Sequence, residues 1–573
     1  MRVAVVQFEV SDDVEANLQT CLRMIDKAQA ECDPDLIVLP EYCNHPPLYR
    51  DPEHCYSIAE AADGPFLKAI AAKAKELACM IQVNVTTRHR NNAVRNTNTM
   101  FGPDGSKLGE SSKQFLISGE NFFLEKPDAP SDVMTTPFGN IGMYSCMDGV
   151  SMEVTRSLSL RGAQLLSNSL CSFAPDEDEL HLPVRAAENK VFVAAANKVG
   201  RLVPEGLVKT LAGEHDARDA RSMMGGGASQ IVAPDGTVLA RAPVEDEAVI
   251  WADIDLGESL NKARPDGSDM FADRRPELYG PIVEEPKPHN LAPAAEQIGA
   301  AVSSGFVGGD SIAQAVAAVA DARGRGVDFL VLPELAFLGD EKVADVAAAA
   351  ALCEVGIAEL TKAVAELDQE ICVATSVVHA AGEKVAHRGV LITKDGVVLH
   401  QDTLHRCGRH PWVTDYADDL STLDLPMGRF GLVVGGDAAI PETFRLLALK
   451  DSAVVGVPTR ILEEWEVRTG LLERSAENRL NLVVATRPSP AGTGLIVTLE
   501  KDFTQGTPRA DGKRRGRTLS WPIAVHADHQ ASLMTAPIYP AASSNRLCFI
   551  ATDLVDGRPW HLSGAIAEQR PAS

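Results

Sequence analysis

The sequence predicts an α/β layered architecture that is built twice along one chain. Three observations carry this expectation. Short β-rich apolar runs alternate with stretches of helical apolar spacing; LIVLPEY at Leu36 to Tyr42 returns as LVLPEL at Leu330 to Leu335; and PFGNIGMYSCMD (137–148) returns as PMGRFGLVVGGD (426–437). Further on, Glu153, Arg156, Leu158 and Leu160 recur as Glu442, Arg445, Leu447 and Leu449, and RAAEN at Arg185 recurs as RSAEN at Arg474, all at one offset of 289 residues. A single offset over so many matches indicates a tandem duplication. In that register Cys146 of the first copy faces Gly435 of the second.

The elements of the first copy follow in order. Val3 to Phe8 is a short β-rich run, and Val14 to Ala30 spaces Leu18, Leu22, Ile25 and Ala28 as one helical face. Leu36 to Leu39 reads as strand, Pro65 to Ala78 as helix, Met80 to Thr86 as strand, and Thr97 to Phe101 with Pro103-Asp104-Gly105 as strand and turn. Thr136 to Ser145 is expected as strand, Glu153 to Arg161 as helix, Ala186 to Lys190 as the end of a helix and Val191 to Asn197 as strand. Ala228 to Val232 and Val238 to Arg241 flank a Pro-Asp-Gly turn, and Ala248 to Ile254 closes the copy. The expected division is a first domain over 1–280, a Pro/Glu/Lys-rich linker over 281–293, a second domain over 294–556 and a tail over 557–573. In the second copy, Gln297 to Val307 stands in for the opening strand.

A chain of 573 residues exceeds what one hydrophobic core supports, in keeping with two domains. Its 45% apolar and 23% charged content is ordinary for a globular protein, and no apolar run reaches the roughly 18 residues of a membrane span. A net charge of −25 argues against nucleic acid or an anionic membrane as partner. The basic run Lys513 to Arg517 has no interleaved aromatics and reads as a solvated loop. Eleven cysteines without framework spacing suggest free thiols in a reducing, cytoplasmic setting.

The chemistry-bearing residues stand at the ends of apolar runs. Glu41 follows LIVLP, Lys113 lies in SSKQF, and Cys146 ends a strand where a helix is about to begin. A thiol can attack an acyl or nitrile carbon while a carboxylate moves protons and an ammonium stabilises developing negative charge. Burial at the strand end is expected to raise the proton affinity of Glu41, and the helix start to favour the Cys146 thiolate. Lys113 and the Met147 backbone N–H are placed as oxyanion donors. Cys21, Cys32, Cys43, Cys55, Cys79 and Cys171 lack this setting. His400, His405, Cys407 and His410 match no zinc spacing, so neither a metal nor a cofactor is called for. In the second copy Glu334 keeps its place, Leu404 or His405 occupies the position of Lys113, and Gly435 offers no nucleophile.

These pieces together resemble the nitrilase superfamily of carbon–nitrogen hydrolases: Leu-Pro-Glu at a strand end, a lysine before the nucleophile, Gly-Met-Tyr-Ser-Cys-Met-Asp, and Arg-Arg-Pro-Glu-Leu-Tyr at 274–279. The resemblance implies tandem αββα sandwich domains paired as an internal pseudo-dimer, αββααββα, with Glu41, Lys113 and Cys146 as the catalytic trio. Glu120 matches the second glutamate of the family as a substrate-positioning residue, with Glu125 the other candidate. Ser151-Met152-Glu153 departs from the Phe-Pro or Tyr-Pro found at that point of the family, which alters a pocket wall. Asp148-Gly149 after the nucleophile resembles the amidase and carbamoyl-hydrolase branches. The implied partner is a small amide or carbamoyl compound, with nitrile hydrolysis or a non-catalytic scaffold as the alternatives. The degenerate half would serve as an internal domain partner, and further homo-oligomers are open. Loops at 42–50, 169–181 and 202–224 are expected to set substrate choice.

Overall fold

The computed structural model describes all residues except 204–223, 304–309, 340–341, 488, 501–517, 529–532 and 570–573. Most of the 202–224 loop and the basic run 513–517 therefore lie outside the described residues. Contacts divide the chain into two compact units. The first holds Met1–Lys262 and Leu547–Ser573 with the described part of Phe503–Ser520; the second holds Ala263–Asp502 and Trp521–Arg546.

The first unit contains β1 (Arg2–Gln7), β2 (Leu36–Val38), β3 (Met80–Arg88), β4 (Val94–Phe101), β5 (Lys107–Ser112), β6 (Val133–Thr136), β7 (Gly139–Ser145), β8 (Leu165–Ser169), β9 (Phe192–Ala196), β10 (Gln230–Val232), β11 (Val238–Arg241) and β12 (Ala248–Asp253). They form two six-stranded sheets, β12-β1-β2-β3-β4-β5 and β11-β10-β9-β8-β7-β6. The central strands β1-β2-β3 and β7-β8-β9 are parallel and the flanking ones antiparallel. The expected single strand 136–145 is a hairpin, because Pro137-Phe138 turns the chain between β6 and β7.

Each central strand is apolar on both faces because both are covered. Val3, Val5, Leu36 and Val38 meet Ile141, Met143, Leu165 and Phe192 between the sheets. On the outer faces, Val6 and Ile37 pack against Leu18 and Ile25 of the helix Val14–Cys32 and Ile70 of the helix Pro65–Leu77. Leu166 and Val193 pack against Val154 and Leu158 of the helix Met152–Leu160 and Ala186 of the helix Leu182–Asn189. The layering is αββα. At the carboxyl ends of the strands the filling turns polar. Gln82 Nε2 donates to Ser169 Oγ at 3.1 Å, and Asn98 Nδ2 donates to Ser145 Oγ at 2.8 Å and to the Tyr144 carbonyl at 3.1 Å. A buried seam of this kind holds the sheets in register only when its groups find partners.

The second unit repeats the topology. One sheet runs Gly396–Asp402, Lys384–Thr393, Cys372–Ala381, Phe329–Val331, Ile298–Ser303, Leu533–Ile538. The other runs Thr422–Leu425, Gly428–Leu432, Val454–Pro458, Asn481–Ala485, Leu495–Thr498, Ile523–His526. Ile298–Ser303 pairs in parallel with Phe329–Val331, as β1 pairs with β2. The contact boundary falls at Lys262 rather than at 280. Within the second unit Arg264 is paired with Glu463 and Glu466, and Arg274 with Glu442.

The final stretch is no loose tail. Leu554 and Ile566 are fully buried in the first unit, and Cys548 and Leu554 join Phe115, Met147, Val150, Ala174 and Leu519 in one apolar cluster. The Ser118 N–H donates to Thr552 Oγ1 at 2.9 Å. Leu554→Ala is expected to destabilise the first unit by about 3 kcal/mol through the cavity it leaves. Denaturant unfolding followed on this variant checks it; a loss below about 1 kcal/mol would show that the segment merely lies on the surface.

Candidate active site

Glu41 emerges just beyond β2, where Pro40 ends the strand and the Glu41 N–H donates to the Leu170 carbonyl at 3.1 Å. Lys113 follows β5, its N–H bonded to the Asn96 carbonyl at 2.9 Å. These backbone links deliver both side chains to one buried point. Lys113 Nζ donates to Glu41 Oε1 at 2.9 Å and to Glu120 Oε1 at 2.8 Å, and Asn96 Nδ2 donates to Glu41 Oε1 at 2.7 Å. Glu120 is fixed further by the Tyr42 hydroxyl at 2.6 Å and the Ile117 N–H at 2.9 Å. Glu125, the other candidate, donates its backbone N–H to the Val94 carbonyl at 2.9 Å.

Burial works against the Lys113 charge, yet Glu120 and Glu41 hold the ammonium well above the ordinary lysine range. Burial pushes Glu41 up from the usual carboxylate range, with Lys113 opposing and Glu120 reinforcing the rise. One cation thus faces two carboxylates in a site that water does not screen.

Cys146 sits at φ +44°, a left-handed conformation that costs an L residue about 1–3 kcal/mol. Its N–H donates to Asn168 Oδ1 at 3.0 Å, and its Sγ approaches Glu177 Oε1 at 3.8 Å. The expectation of a resting thiolate is not met. The residues from Cys146 form only a short 3-10 turn and the next helix begins at Met152, so Cys146 does not itself open a helix. Burial pushes the thiol well above its ordinary value, with Glu41 adding to the rise and Lys113 opposing it. The resting group is therefore S–H. The Met147 side chain packs in the apolar cluster beneath.

Two residues hold this geometry without having been singled out for it. Asp148 accepts the Gln114 N–H at 2.9 Å, the Phe115 N–H at 2.7 Å and the Ser145 N–H at 3.2 Å, tying the segment after Lys113 to the turn that carries Cys146. Burial pushes its carboxyl up to about 7 against the pull of those donors. In the sequence Asp148 carries the branch resemblance, and its return as Asp437 is the signal of a structural brace. Glu177, 289 residues before Glu466, lies within the 169–181 loop expected to set substrate choice but is not among the candidate site residues.

The same frame in the second unit holds different side chains. The Leu404 and His405 N–H groups donate to Asp437 at 2.7 and 3.0 Å, and the Thr403 N–H donates to the His387 carbonyl at 3.0 Å. This register places Thr403, not Leu404 or His405, where Lys113 stands. Glu334 is held by Arg409 through two bonds of 3.0 Å and by His410. Gly435 keeps the turn at φ +58°, and a Cβ there would meet His387 Cε1 at 2.9 Å. Among the described residues, Glu334, His387 and His410 offer ligand atoms within 4.8 Å of one another. The Arg409 guanidinium already occupies both oxygens of Glu334, so a metal ion there would face a fixed positive charge. That site does not fit a metal.

Asp148→Ala is expected to cost about 3 kcal/mol by orphaning buried N–H donors, and Asp148→Asn less because an acceptor oxygen remains. Chemical denaturation of the two variants checks the order; equal losses would remove the bracing role.

Comparison with known proteins gives these residues a setting. Residues 2–261 match the family described as carbon-nitrogen hydrolase. A nitrilase of Pyrococcus abyssi is 28% identical over 49% of this chain and 99% of its own length. N-carbamoylputrescine amidase of Solanum tuberosum is 27% identical over 48% of this chain and 93% of its own. Omega-amidase NIT2 of Xenopus tropicalis is 31% identical over 50% of this chain and 98% of its own. No helix among the described residues is long and apolar enough to cross a membrane. By these likenesses the chain belongs to the carbon–nitrogen hydrolase family, as an enzyme of the amidohydrolase type.

Proposed function

We propose that the first unit hydrolyses a non-peptide C–N bond in a small amide or N-carbamoyl compound, through a thioester on Cys146. The observation that carries this reading is the buried Lys113 ammonium bonded to both Glu41 and Glu120, with a buried thiol electrostatically coupled to all three. Two acidic side chains sharing one cation are driven apart in role. Glu120, anchored by Tyr42 and Ile117, positions the substrate amide; Glu41, with raised proton affinity, moves protons.

Because the thiol rests protonated, Glu41 takes its proton as Sγ bonds to the carbonyl carbon. Lys113 and the Met147 N–H stabilise the oxyanion. As the C–N bond breaks, Glu41 returns the proton to the leaving nitrogen, and ammonia or an amine departs. Water then gives a proton to Glu41 and attacks the thioester, the C–S bond breaks, and the proton returns to sulfur. Nothing in this sequence of steps calls for a metal or cofactor. The Asp148-Gly149 pair and the amidase-type names among the relatives favour amide or carbamoyl substrates over nitriles.

An ammonia-release screen across aliphatic amides, ureido acids, ω-amides and nitriles tests the reading. Cys146→Ala and Glu41→Gln are expected to lower turnover by about 10³-fold or more while the fold is retained; release that persists in Cys146→Ala would contradict the thioester route. Glu41 must be ionised to accept the proton, and burial raises its pKa, so activity should fall on acidification at a pH above the ordinary glutamate range. A kcat/KM profile flat down to pH ~4 would exclude Glu41 as the base.

A further inference from the structure

We infer that Glu177 is a specificity residue that accepts a hydrogen bond from an N–H group on the acyl side of the scissile carbonyl, either an ammonium or the second nitrogen of a ureido group. The inference rests on the hydrolase reading of Cys146 and deepens it by naming the substrate class.

Glu177 is 1% exposed, and its Oε1 faces Cys146 Sγ at 3.8 Å. Its Oε2 is fully buried and has no hydrogen-bond partner. Burying a carboxyl oxygen without a hydrogen-bond partner is costly, and that oxygen is where a ligand can supply the missing donor. Burial pushes it up to about 8, and His181 and the Ser172 hydroxyl pull it down only in part.

The duplicated frame shows what this carboxyl lacks. Glu466 occupies the same position in the second unit, where it accepts the Leu462 N–H at 2.9 Å, the Glu463 N–H at 2.8 Å and Arg264 Nη2 at 2.8 Å. Arg264 follows Ala263, which bridges to Asp269; in the first unit Cys548 follows Leu547, which pairs with Asp553 in the same way. Cys548 thus stands where the arginine would stand, and it packs in an apolar cluster with Ala174, Met147 and Leu554. The unit without a nucleophile keeps its carboxylate neutralised. The unit with one turns toward the reactive sulfur a carboxyl that, among the described residues, no arginine pairs.

The site then offers acceptors on both sides of the reacting carbon. Glu41 and Glu120 serve the leaving nitrogen, and Glu177 serves the part that stays bound to sulfur. An aliphatic amide has only C–H groups there. An amino amide or an N-carbamoyl compound has an N–H.

Three substrates of one skeleton separate the cases: butyramide, β-alaninamide and N-ethylurea, assayed by ammonia release with the full chain. The readout is the ratio of kcat/KM for each nitrogen-bearing substrate to that for butyramide, which a merely structural role for Glu177 would leave unmoved. The wild-type ratio is expected to exceed about tenfold for at least one of the pair, since a buried acceptor left unpaired penalises butyramide. Glu177→Leu should bring that ratio to about one. Glu177→Gln, which keeps an acceptor oxygen without the charge, should retain a ureido preference and lose an ammonium preference. Turnover of butyramide with ratios near one in the wild type overturns the inference and leaves the hydrolase reading standing, as does a ratio unchanged in Glu177→Leu. No ammonia from any substrate in this set or in the wider screen sinks the hydrolase reading and this inference with it.

Discussion

One buried ammonium shared by two carboxylates is the constraint around which the first unit is arranged. Lys113 bonds Glu41 and Glu120 in a place where each ion alone would be expensive. A polar seam of asparagines, serines and Gln82 between the sheets sets fixed dipoles beside these charges. Asn96 illustrates the point: its side chain reaches Glu41, and its carbonyl receives the Lys113 N–H. Asp148 completes the frame by fastening the residues after Lys113 to the turn that carries Cys146. Lysine, base and thiol are thereby held on backbone links rather than on flexible side chains alone, which is what preorganised electrostatics requires.

The thiol is kept protonated by the same burial that strengthens the ion cluster. Sulfur faces Glu177 as well as the field of Glu41, and both oppose a resting thiolate. Attack must therefore couple sulfur–carbon bond formation to proton transfer. The left-handed turn at Cys146 adds strain that only an over-determined surrounding sustains. Gly435 keeps that turn without strain, so the backbone shape belongs to the fold and the cost belongs to the nucleophile.

The doubled α/β layering was legible because buried parallel strands leave apolar runs and because the duplication printed each motif twice. Glu41, Lys113 and Cys146 stood out as polar residues at the ends of such runs. What escaped has physical reasons. Glu177 opens the helical stretch Glu177–Asn189 as one acidic residue among several, and its meaning depends on what stands opposite it from hundreds of residues along the chain. The counterpart of Lys113 was misplaced onto Leu404 or His405 because the loops before the nucleophile differ in length. Hydrogen bonds to Asp437 and His387, not alignment, fix it as Thr403. The direction of the Cys146 shift was misread because a helix was expected immediately after it, and burial cannot be counted from one sequence. The closing segment gave no signal because Leu554 and Ile566 are spaced by short turns rather than by any helical or strand period.

The two units set out what the chemistry demands by what the second has given up. There Glu334 is clamped by Arg409 and His410, and the pair drives its carboxyl well below the ordinary range despite burial. A carboxylate so neutralised has no proton affinity left to act as a base. The first unit leaves Glu41 with a raised proton affinity and Glu177 with a carboxyl that His181 and Ser172 pull down only in part. The second compensates the matching carboxylates: Glu466 with Arg264 and Glu334 with Arg409. Charge balance, as much as the missing sulfur, separates the two sites. Restoring a cysteine at Gly435 alone would place its Cβ against His387 and face it with a base that is already satisfied. A working site on this frame needs the imbalance as well as the nucleophile.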